Sequence, residues 1–326
     1  MFPEVRLRRL RQNDSIRKML DIPLPGPEKM IWPIFVVAGK NIREPIPSMP
    51  GQYRLSIDQL LSDLKPVVQM GIGGILLFGQ INEEQKDKIG SKAHSSSGVV
   101  QDSVRKIKEI YPNLLVATDV CMCSFTDHGH CGPLDKNGKI NNDEALQILS
   151  KIACSMSEAG ADIVAPSSMM DGQVKVIRSA LDEMSFQDTI IMSYSSKFAS
   201  SMYGPFRDAQ LSTPQNGDRK NYQTSYANPL LALRESESDE DEGADILMIK
   251  PALFYLDILS KMRESTNLPI AAYNVSGEYA MIHASAEKGW GNLKDMAKES
   301  TLSITRAGAD IIISYWANQY EHIFKS

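Results

Sequence analysis

The sequence lacks long apolar runs and has few cysteines. No stretch approaches the roughly 18 consecutive apolar residues of a membrane span, and the N-terminus has no apolar signal segment. We therefore expect a soluble, cytoplasmic protein with no membrane partner. Four cysteines in 326 residues are too few for a disulfide framework. A composition of 42% apolar and 23% charged residues excludes disordered and fibrous classes.

The chain also lacks a strong excess of either charge. Its net charge is −5, and the six acidic side chains of residues 235–242 account for it. We interpret this run as a solvated helix end. Residues 6–12 are basic but contain no interleaved aromatics, so we expect no nucleic-acid partner. We predict that residues 1–28 form an arm that packs on another subunit, and that residues 29–326 form one catalytic domain.

Short apolar runs rich in isoleucine and valine recur along the chain. Such runs are typical of strands buried on both faces, and the segments between them have helical periodicity. Three helical segments end in Gly-Ala-Asp, where glycine supplies a left-handed stop. The pattern predicts an α/β fold, a (β/α)₈ TIM barrel, with an open doubly wound sheet as the alternative. The predicted strands are 30–37, 73–79, 114–121, 161–167, 189–195, 244–250, 268–276 and 309–316.

Reactive side chains cluster where the predicted strands end. Catalytic residues of TIM barrels come from the C-terminal ends of the strands and from the loops that follow them. We therefore expect the site at that end of the barrel. The residues concerned are Asp119, Cys121, Ser167, Lys197, Lys250, Ser276 and Tyr315.

Lys197 and Lys250 each close a predicted buried strand. A buried ammonium is costly unless its pKa falls or it is paired. Either lysine alone is best interpreted as a structural residue whose ammonium reaches the barrel mouth. If both converge, repulsion and desolvation lower the pKa of at least one and leave a neutral amine. Such an amine forms a Schiff base with a ketone, so the pair predicts carbonyl condensation or cleavage.

Three of the four cysteines fall within eleven residues: Cys121, Cys123 and Cys131. Thiolates select zinc, and three protein ligands leave the fourth position open for water or substrate, as in catalytic sites. His128 or His130 is the alternative fourth ligand, although such histidines more often support the ligands from outside. Cys154 lies in a helical apolar pattern and is predicted to belong to the core.

Residues 200–229 form a long segment with few periodic apolar residues, which is typical of a lid or binding segment. The segment contains Arg207 and Arg219. Their planar guanidinium groups suit a carboxylate, although a single arginine would be interpreted as a surface residue. Closure of such a lid would exclude water and protect an imine from hydrolysis.

Seven runs of the sequence resemble the porphobilinogen synthase family, also called delta-aminolevulinic acid dehydratase. The resemblance extends from the N-terminal arm to Tyr315. The runs are DVCMCSFTDHGHCG (119–132), APSSMMDG (165–172), MSYSSKFASSMYGPFRDA (192–209), GDRKNYQ (217–223), GADILMIKPALFYLDI (243–258), AAYNVSGEYAMI (271–282) and RAGADIIISY (306–315).

This resemblance implies a TIM-barrel lyase of tetrapyrrole and haem biosynthesis. Members condense two 5-aminolevulinate molecules into porphobilinogen with loss of two waters. Lys250 would form the Schiff base on the propionate side and Lys197 that on the acetate side, and the three cysteines would hold zinc. The other implied roles fall to Arg207 and Arg219 at the acetate-side carboxylate, Ser276 and Tyr315 at the other carboxylate, Asp119 and Ser167 near the propionate-side amino group, and Tyr203 and Tyr273 lining the pocket.

The resemblance also implies a homo-octamer whose N-terminal arm wraps a neighbour. Many members have an allosteric Mg²⁺ site, and Glu235 stands where its glutamate is found. Two other functions stay open. A class I aldolase would need one lysine and no metal. A non-catalytic zinc-binding or scaffold protein is the other alternative, and the presence of both lysines and both arginines counts against it.

Overall fold

The computed structural model describes residues 2–215 and 217–325. Its ten strands form one sheet. They are β1 (Met30–Val37), β2 (Arg43–Pro45), β3 (Tyr53–Leu55), β4 (Gly74–Gln80), β5 (Leu115–Val120), β6 (Ile163–Pro166), β7 (Ile190–Lys197), β8 (Ile246–Lys250), β9 (Ile270–Asn274) and β10 (Ile311–Ser314).

Eight of these strands close into a parallel barrel. The sheet order is β10-β9-β8-β7-β6-β5-β4-β1-β3-β2, and β10 also pairs with β1. That closing pair is parallel, with Met30 opposite Ile312 and Ile31 opposite Ile313. The predicted TIM barrel is therefore confirmed, and the alternative of an open sheet is wrong.

Helices follow the barrel strands and cover the outside of the sheet. The described α-helices are α1 (Asp14–Leu20), α2 (Ile57–Gln69), α3 (Val99–Ile110), α4 (Asn142–Glu158), α5 (Gln173–Glu183), α6 (Gly204–Gln210), α7 (Pro229–Asp241), α8 (Leu256–Ser265), α9 (Ser276–Glu287), α10 (Leu293–Arg306) and α11 (Tyr320–Phe324). Single turns of 3₁₀ helix span Leu7–Arg11, Pro27–Lys29, Glu83–Gln85, Ser91–His94, Ser201–Tyr203, Leu253–Tyr255 and Ala317–Gln319. Among the described residues, no helix combines the length and apolarity needed to cross a bilayer.

The barrel strands form because their side chains are buried on both faces. Every residue of β8 and β9 is buried, which is the environment that continuous Ile- and Val-rich runs favour. All eight predicted strands are confirmed, with ends that shift by at most two residues. The antiparallel hairpin of β2 and β3 was not predicted, because each strand has only three residues and β2 is exposed.

The three Gly-Ala-Asp sequences join neighbouring strands at the floor of the barrel. Their glycines have φ angles of 101° to 115°, a left-handed conformation that favours glycine. Each aspartate immediately precedes one strand and accepts a hydrogen bond from the first or second residue of the strand before it. The bonds run from Val116 N to Asp162 (2.8 Å), from Ile191 N to Asp245 (2.7 Å) and from Ile270 N to Asp310 (2.9 Å).

The N-terminal segment lies on the outside of the barrel. Neither the 3₁₀ turn Leu7–Arg11 nor α1 has a buried residue. The segment meets the barrel at Pro25, whose carbonyl accepts a hydrogen bond from the Tyr320 hydroxyl at 2.8 Å. The division of the chain at residue 28, and the subunit on which the arm packs, remain predictions.

The segment 200–229 is less irregular than the sequence predicts. It contains the 3₁₀ turn Ser201–Tyr203 and helix α6, after which the chain is irregular up to α7. Asn216, within this segment, lies outside the described residues. A helix of seven residues is too short to give a detectable apolar period, so its stability must come from contacts with the barrel.

We predict that Asp162→Ala lowers the free energy of unfolding by about 1 to 3 kcal/mol, because it leaves Val116 N without its acceptor. The same carboxylate binds the Lys108 ammonium at 2.9 Å. Urea denaturation at fixed protomer concentration measures the loss. Asp162→Asn keeps one acceptor oxygen and should lose less; equal losses for the two variants would contradict the proposed role of this bond.

Candidate active site

Two lysines meet side by side at the C-terminal end of the barrel strands. Lys197 ends β7, Lys250 ends β8, and the two residues are register partners in the parallel pair. Each is only 5% exposed. The Lys197 ammonium donates a hydrogen bond to the Ser167 carbonyl at the end of β6. The structure thus brings together the two amines that the sequence predicted would converge.

The Lys250 amine lies in an aromatic cage. Its Nζ is 4.2 to 5.5 Å from the ring centroids of Tyr273, Tyr194, Phe206 and Tyr203. The rings shield the amine from solvent, and their cation–π attraction offsets only part of the cost of burying its charge. Burial, followed by repulsion from Lys197, lowers the pKa of Lys250 to about 7. A substantial fraction of this amine is therefore neutral and nucleophilic at physiological pH.

Tyr194 lies near both amines because β7 contains a bulge. Residues three apart in a regular strand point to opposite faces. The register of β7 against β8 shifts between Ser193 and Ser196, so β7 has one more residue than β8 at this point. The extra residue turns Tyr194 and Lys197 to the same side. The Tyr194 ring centroid is 5.3 Å from Lys197 Nζ, and its buried hydroxyl has no hydrogen-bond partner among the described residues. Sequence reasoning missed this residue, since a bulge has no signal in a single sequence.

Asp119, near the end of β5, adds a titratable carboxyl group to the site. Burial, followed by the nearby Cys123, raises its pKa to about 6, while a hydrogen bond from Ser167 and the two lysines act in the opposite direction. Its Oδ1 is buried without a described partner. A carboxyl group with this pKa can both release and accept a proton near neutral pH.

The three clustered cysteines form one buried site in the loop after β5. The Sγ atoms of Cys121, Cys123 and Cys131 lie within 4.8 Å of one another, and all three residues are buried. Among the described residues they are the only group of three potential ligands that converges in this way. Three convergent sulfur atoms match a thiophilic metal such as zinc.

Hydrogen bonds among the thiols favour a thiolate at Cys131. The pKa of Cys131 falls well below its usual range because Cys121 and Cys123 donate to it, with Arg219 and Lys197 adding positive charge. The pKa of Cys121 is raised, first by its hydrogen bond with Cys123. Burial alone would lower the pKa of Arg219, but the adjacent Cys131 and Cys123 raise it instead. The charge states of the arginine and of the thiols therefore stabilise each other.

Neither histidine of the cysteine loop joins the three sulfur atoms. His130 Nδ1 is 3.2 Å from the Tyr222 hydroxyl. The backbone N–H of His130 donates to His128 Nδ1 at 3.1 Å. His128 Nε2 lies 3.1 Å from the Lys88 carbonyl. Both imidazoles thus support the loop from outside the sulfur group. Cys154 lies in the core on α4, as predicted.

Arg207 on α6 and Arg219 in the loop beyond it place two guanidinium groups near the cysteines. Burial and the charge of Arg219 lower the pKa of Arg207. Arg219 Nη2 donates to the carbonyls of Gly129 and Ser212 at 2.9 and 2.6 Å. The Nε atoms of both arginines are buried without a described partner. Two adjacent cations with unused donors form a site suited to an anion such as a carboxylate.

The remaining predicted residues lie around the same mouth. The Tyr273 and Tyr315 hydroxyls are 3.3 Å apart. Ser276 Oγ accepts a hydrogen bond from the Phe206 N–H at 3.0 Å. The Tyr203 hydroxyl donates to the Lys250 carbonyl at 3.1 Å. All of these groups therefore border the lysine pair or the helix above it.

Glu235 is the one predicted site residue that lies apart from this group. It is half-buried on α7, in a cavity of about 250 Å³ whose lining also includes Asp171, Asp239 and Glu242. Burial, followed by the charge of Asp171, raises the pKa of Glu235. Carboxylates suit a hard cation, but in the described structure these side chains do not converge on a single point as the cysteines do.

The fold and the site define a (β/α)₈-barrel enzyme with paired lysines at the C-terminal mouth of the barrel. The family profile described as delta-aminolevulinic acid dehydratase matches residues 4–323. Curated proteins of that name are 51% identical to the chain, from Halalkalibacterium halodurans over 96% of the chain and 94% of the relative, and from Methanothermus sociabilis over 97% of each.

A solved structure agrees with these relatives. The delta-aminolevulinic acid dehydratase (porphobilinogen synthase) of Toxoplasma gondii, in complex with the reaction product porphobilinogen, superposes with a TM-score of 0.95 at 43% identity. The match covers 97% of this chain and 90% of the other. The chain therefore belongs to the delta-aminolevulinic acid dehydratase family and is a lyase of porphyrin biosynthesis.

We predict that the cysteine site binds one equivalent of Co²⁺ per protomer, with thiolate-to-cobalt charge-transfer absorption, and that Zn²⁺ displaces it. Cys131→Ser should abolish the absorption because it removes the favoured thiolate. Cys154→Ser is the matched control and should bind cobalt like the unaltered protein. Identical spectra for both variants would show that the metal binds elsewhere.

Proposed function

We propose that this protein condenses two 5-aminolevulinate molecules into porphobilinogen through Schiff bases at Lys250 and Lys197. The observation that supports this most strongly is the pairing of the two buried amines across β7 and β8. Two adjacent amines suit a reaction between two molecules of the same ketone, because each amine can activate one molecule. The proximity of the bound ketones also converts a bimolecular step into an intramolecular one.

Lys250 is the first candidate nucleophile. Its neutral amine attacks the ketone carbon of the propionate-side substrate, and the imine forms with loss of one water. Lys197 reacts in the same way with the acetate-side substrate and releases the second water. The carbon on the carboxylate side of the acetate-side imine loses its two hydrogens and bonds to the propionate-side imine carbon, which releases Lys250. The propionate-side amino nitrogen loses its two hydrogens and bonds to the acetate-side imine carbon, which releases Lys197. These four hydrogens restore the two amines, a proton shift from carbon to the ring nitrogen completes the product, and the two waters are those lost in imine formation.

Arg207 and Arg219 bind the carboxylate of the acetate-side substrate in this proposal. Their unused Nε donors and mutual repulsion support the assignment. Ser276 and Tyr315 bind the other carboxylate, while Tyr203 and Tyr273 line the pocket. Asp119 and Ser167 lie near the propionate-side amino group, and the pKa of Asp119 suits it to accept a proton there.

Zn²⁺ is the proposed metal at Cys121, Cys123 and Cys131. The convergence of the three sulfur atoms within 4.8 Å supports it. When bound, the ion would supply a Lewis acid that polarises the acetate-side substrate. Arg219, whose pKa the thiols raise, stays charged there and balances their negative charge.

A class I aldolase would leave two features of this site without a purpose. It needs one lysine and no metal, whereas this site pairs two amines and adds three convergent thiols. A zinc-binding scaffold would have no need to bury two lysines, because burying an ammonium group costs free energy. Both features favour the condensation.

We also propose that the protein works as a homo-octamer in the cytoplasm. The N-terminal segment supports the assembly, since it includes exposed apolar side chains that a neighbour would cover: Phe2, Val5, Leu7, Leu10, Met19 and Leu20. The thiols support the location, because the cytosol keeps cysteines reduced and able to bind metal.

Mg²⁺ at Glu235 is the proposed allosteric ion. The donor chemistry of the surrounding cavity supports it, because Asp171, Asp239 and Glu242 supply further carboxylates. Asp239 also accepts a hydrogen bond from Ser193 at 2.6 Å, next to the bulge in β7. An ion at Glu235 would therefore act on the strand that ends in Lys197.

We predict that borohydride added with 5-aminolevulinate labels Lys250, as detected by peptide mass spectrometry. Lys250→Arg should lose both the label and porphobilinogen formation, whereas Lys261→Arg, on the surface of α8, should keep both. Labelling should rise with pH, since the amine is protonated below its pKa of about 7 and neutral above it. Well below that pH, labelling should fall about tenfold per pH unit.

Porphobilinogen formation that is unchanged in Lys250→Arg would exclude the proposed chemistry. Labelling of Lys250 that survives removal of zinc by a chelator, with no porphobilinogen formed by the zinc-loaded protein, would favour the aldolase. Zinc binding without any label or product would favour the scaffold. The three functions therefore give different results in one set of assays.

We predict that Mg²⁺, added to zinc-loaded protein, raises activity and stabilises the octamer, and that Glu235→Gln removes both effects by eliminating the carboxylate that binds the ion. Activity assays and sedimentation velocity across a Mg²⁺ titration measure them. Glu237→Gln, on the exposed face of the same helix, is the control and should respond fully. If Glu235→Gln responds as the control does, Mg²⁺ binds at another place.

A further inference from the structure

Helix α6 forms the part of the lid segment nearest the lysines. Phe206 on this helix is a wall of the Lys250 cage, with its ring centroid 4.9 Å from Nζ. Arg207, the next residue, is one of the two arginines assigned to a substrate carboxylate. The position of α6 therefore decides whether the cage and the carboxylate site are complete.

We infer that Arg54, on the β2–β3 hairpin, is the positioning residue that holds α6 over the lysines. Arg54 is 8% exposed. Its Nε donates to the Ala209 carbonyl and its Nη2 to the Asp208 carbonyl, each at 2.7 Å. Its Nη1 bonds to the Glu44 carboxylate at 2.8 Å. The planar guanidinium thus joins the end of α6 to both strands of the hairpin.

The physical need for this contact comes from the length of the helix. The last carbonyls of a helix have no partner within it, and they form the negative end of its dipole. Arg54 supplies a positive charge and two donors at that end. A seven-residue helix is unstable alone in water, so α6 depends on tertiary contacts such as this one to stay folded in place.

Among the described residues that hydrogen-bond to α6, Arg54 is the one that can be replaced without changing the proposed site. Near the start of α6, Phe206 N donates to Ser276 Oγ at 3.0 Å. At its last residue, Gln210 accepts from Ser124 Oγ at 2.9 Å, in the cysteine loop. Both of these partners belong to the proposed site or to its metal loop. Arg54 lies outside them, and its hydrogen bonds to α6 go to backbone carbonyls.

The experiment compares Arg54→Ala with Arg43→Ala in the zinc-loaded protein. Arg43 lies on the same hairpin but binds Asp63 at 2.8 Å and stacks over Tyr53, so its loss perturbs the hairpin and leaves α6 tied. Hydrogen exchange should become about tenfold faster at the amides of 206–211 in Arg54→Ala only. The KM for 5-aminolevulinate should rise about tenfold, with kcat within about threefold, because Arg207 loses its position.

Arg54→Lys retains one charged donor, so its KM should lie between that of Arg54→Ala and that of the unaltered protein. A role in folding alone would change the amount of active protein and leave KM unchanged. Arg54→Gln, which keeps the bulk of the side chain, replaces the alanine variant if that variant does not fold. Equal exchange rates and equal KM values in the Arg54 and Arg43 variants would overturn the inference.

The inference about KM rests on the proposed function, but hydrogen exchange does not. Faster exchange in the Arg54 variants, in a protein that makes no porphobilinogen, would support the contact and refute the proposed reaction. Normal porphobilinogen formation in the unaltered protein, together with unchanged exchange in the Arg54 variants, would support the proposed reaction and refute the role of the contact.

Discussion

Two amines held side by side in a dry barrel mouth are the constraint on which the rest of this site depends. The register of β7 against β8 places Lys197 beside Lys250, and neither can move away without breaking the sheet. Around them, Arg207 and Arg219 add further positive charge. The nearby groups that can offset this charge are the Asp119 carboxyl group and the cysteine thiols. The site therefore has an excess of cationic groups, which suits the carboxylate of a substrate.

This imbalance explains why the pKa values of the site diverge. Desolvation disfavours every charge, so a group stays ionised only where an opposite charge is adjacent. Arg219 has thiols beside it and stays charged, whereas Lys250 has aromatic rings and another lysine beside it and loses its proton near pH 7. One pocket thus holds a charged guanidinium group and a partly neutral amine, and the side chains around each group account for the difference.

Sequence reasoning predicts the barrel and most of the site, because both depend on patterns local to the chain. Continuous apolar runs give the strands, and reactive residues at the strand ends give Lys197, Lys250 and the cysteines. The bulge that turns Tyr194 inward depends on pairing with β8, which no single segment encodes. Arg54 was missed for a similar reason: its partners on α6 lie about 155 residues away, and an isolated arginine has no distinguishing pattern. The short strands β2 and β3 were missed because three residues cannot show an alternation.

The Gly-Ala-Asp joints have a consequence for how this barrel deforms. Their aspartates link β5 to β6, β7 to β8 and β9 to β10, each at the floor. Six of the eight barrel strands are thereby clamped into three two-strand staves, and we expect shear to be easier between staves than within one. Lys197 and Lys250 sit on the same stave. We therefore expect any widening of the barrel mouth to change the spacing between neighbouring staves more than the spacing between the backbones of these two lysines.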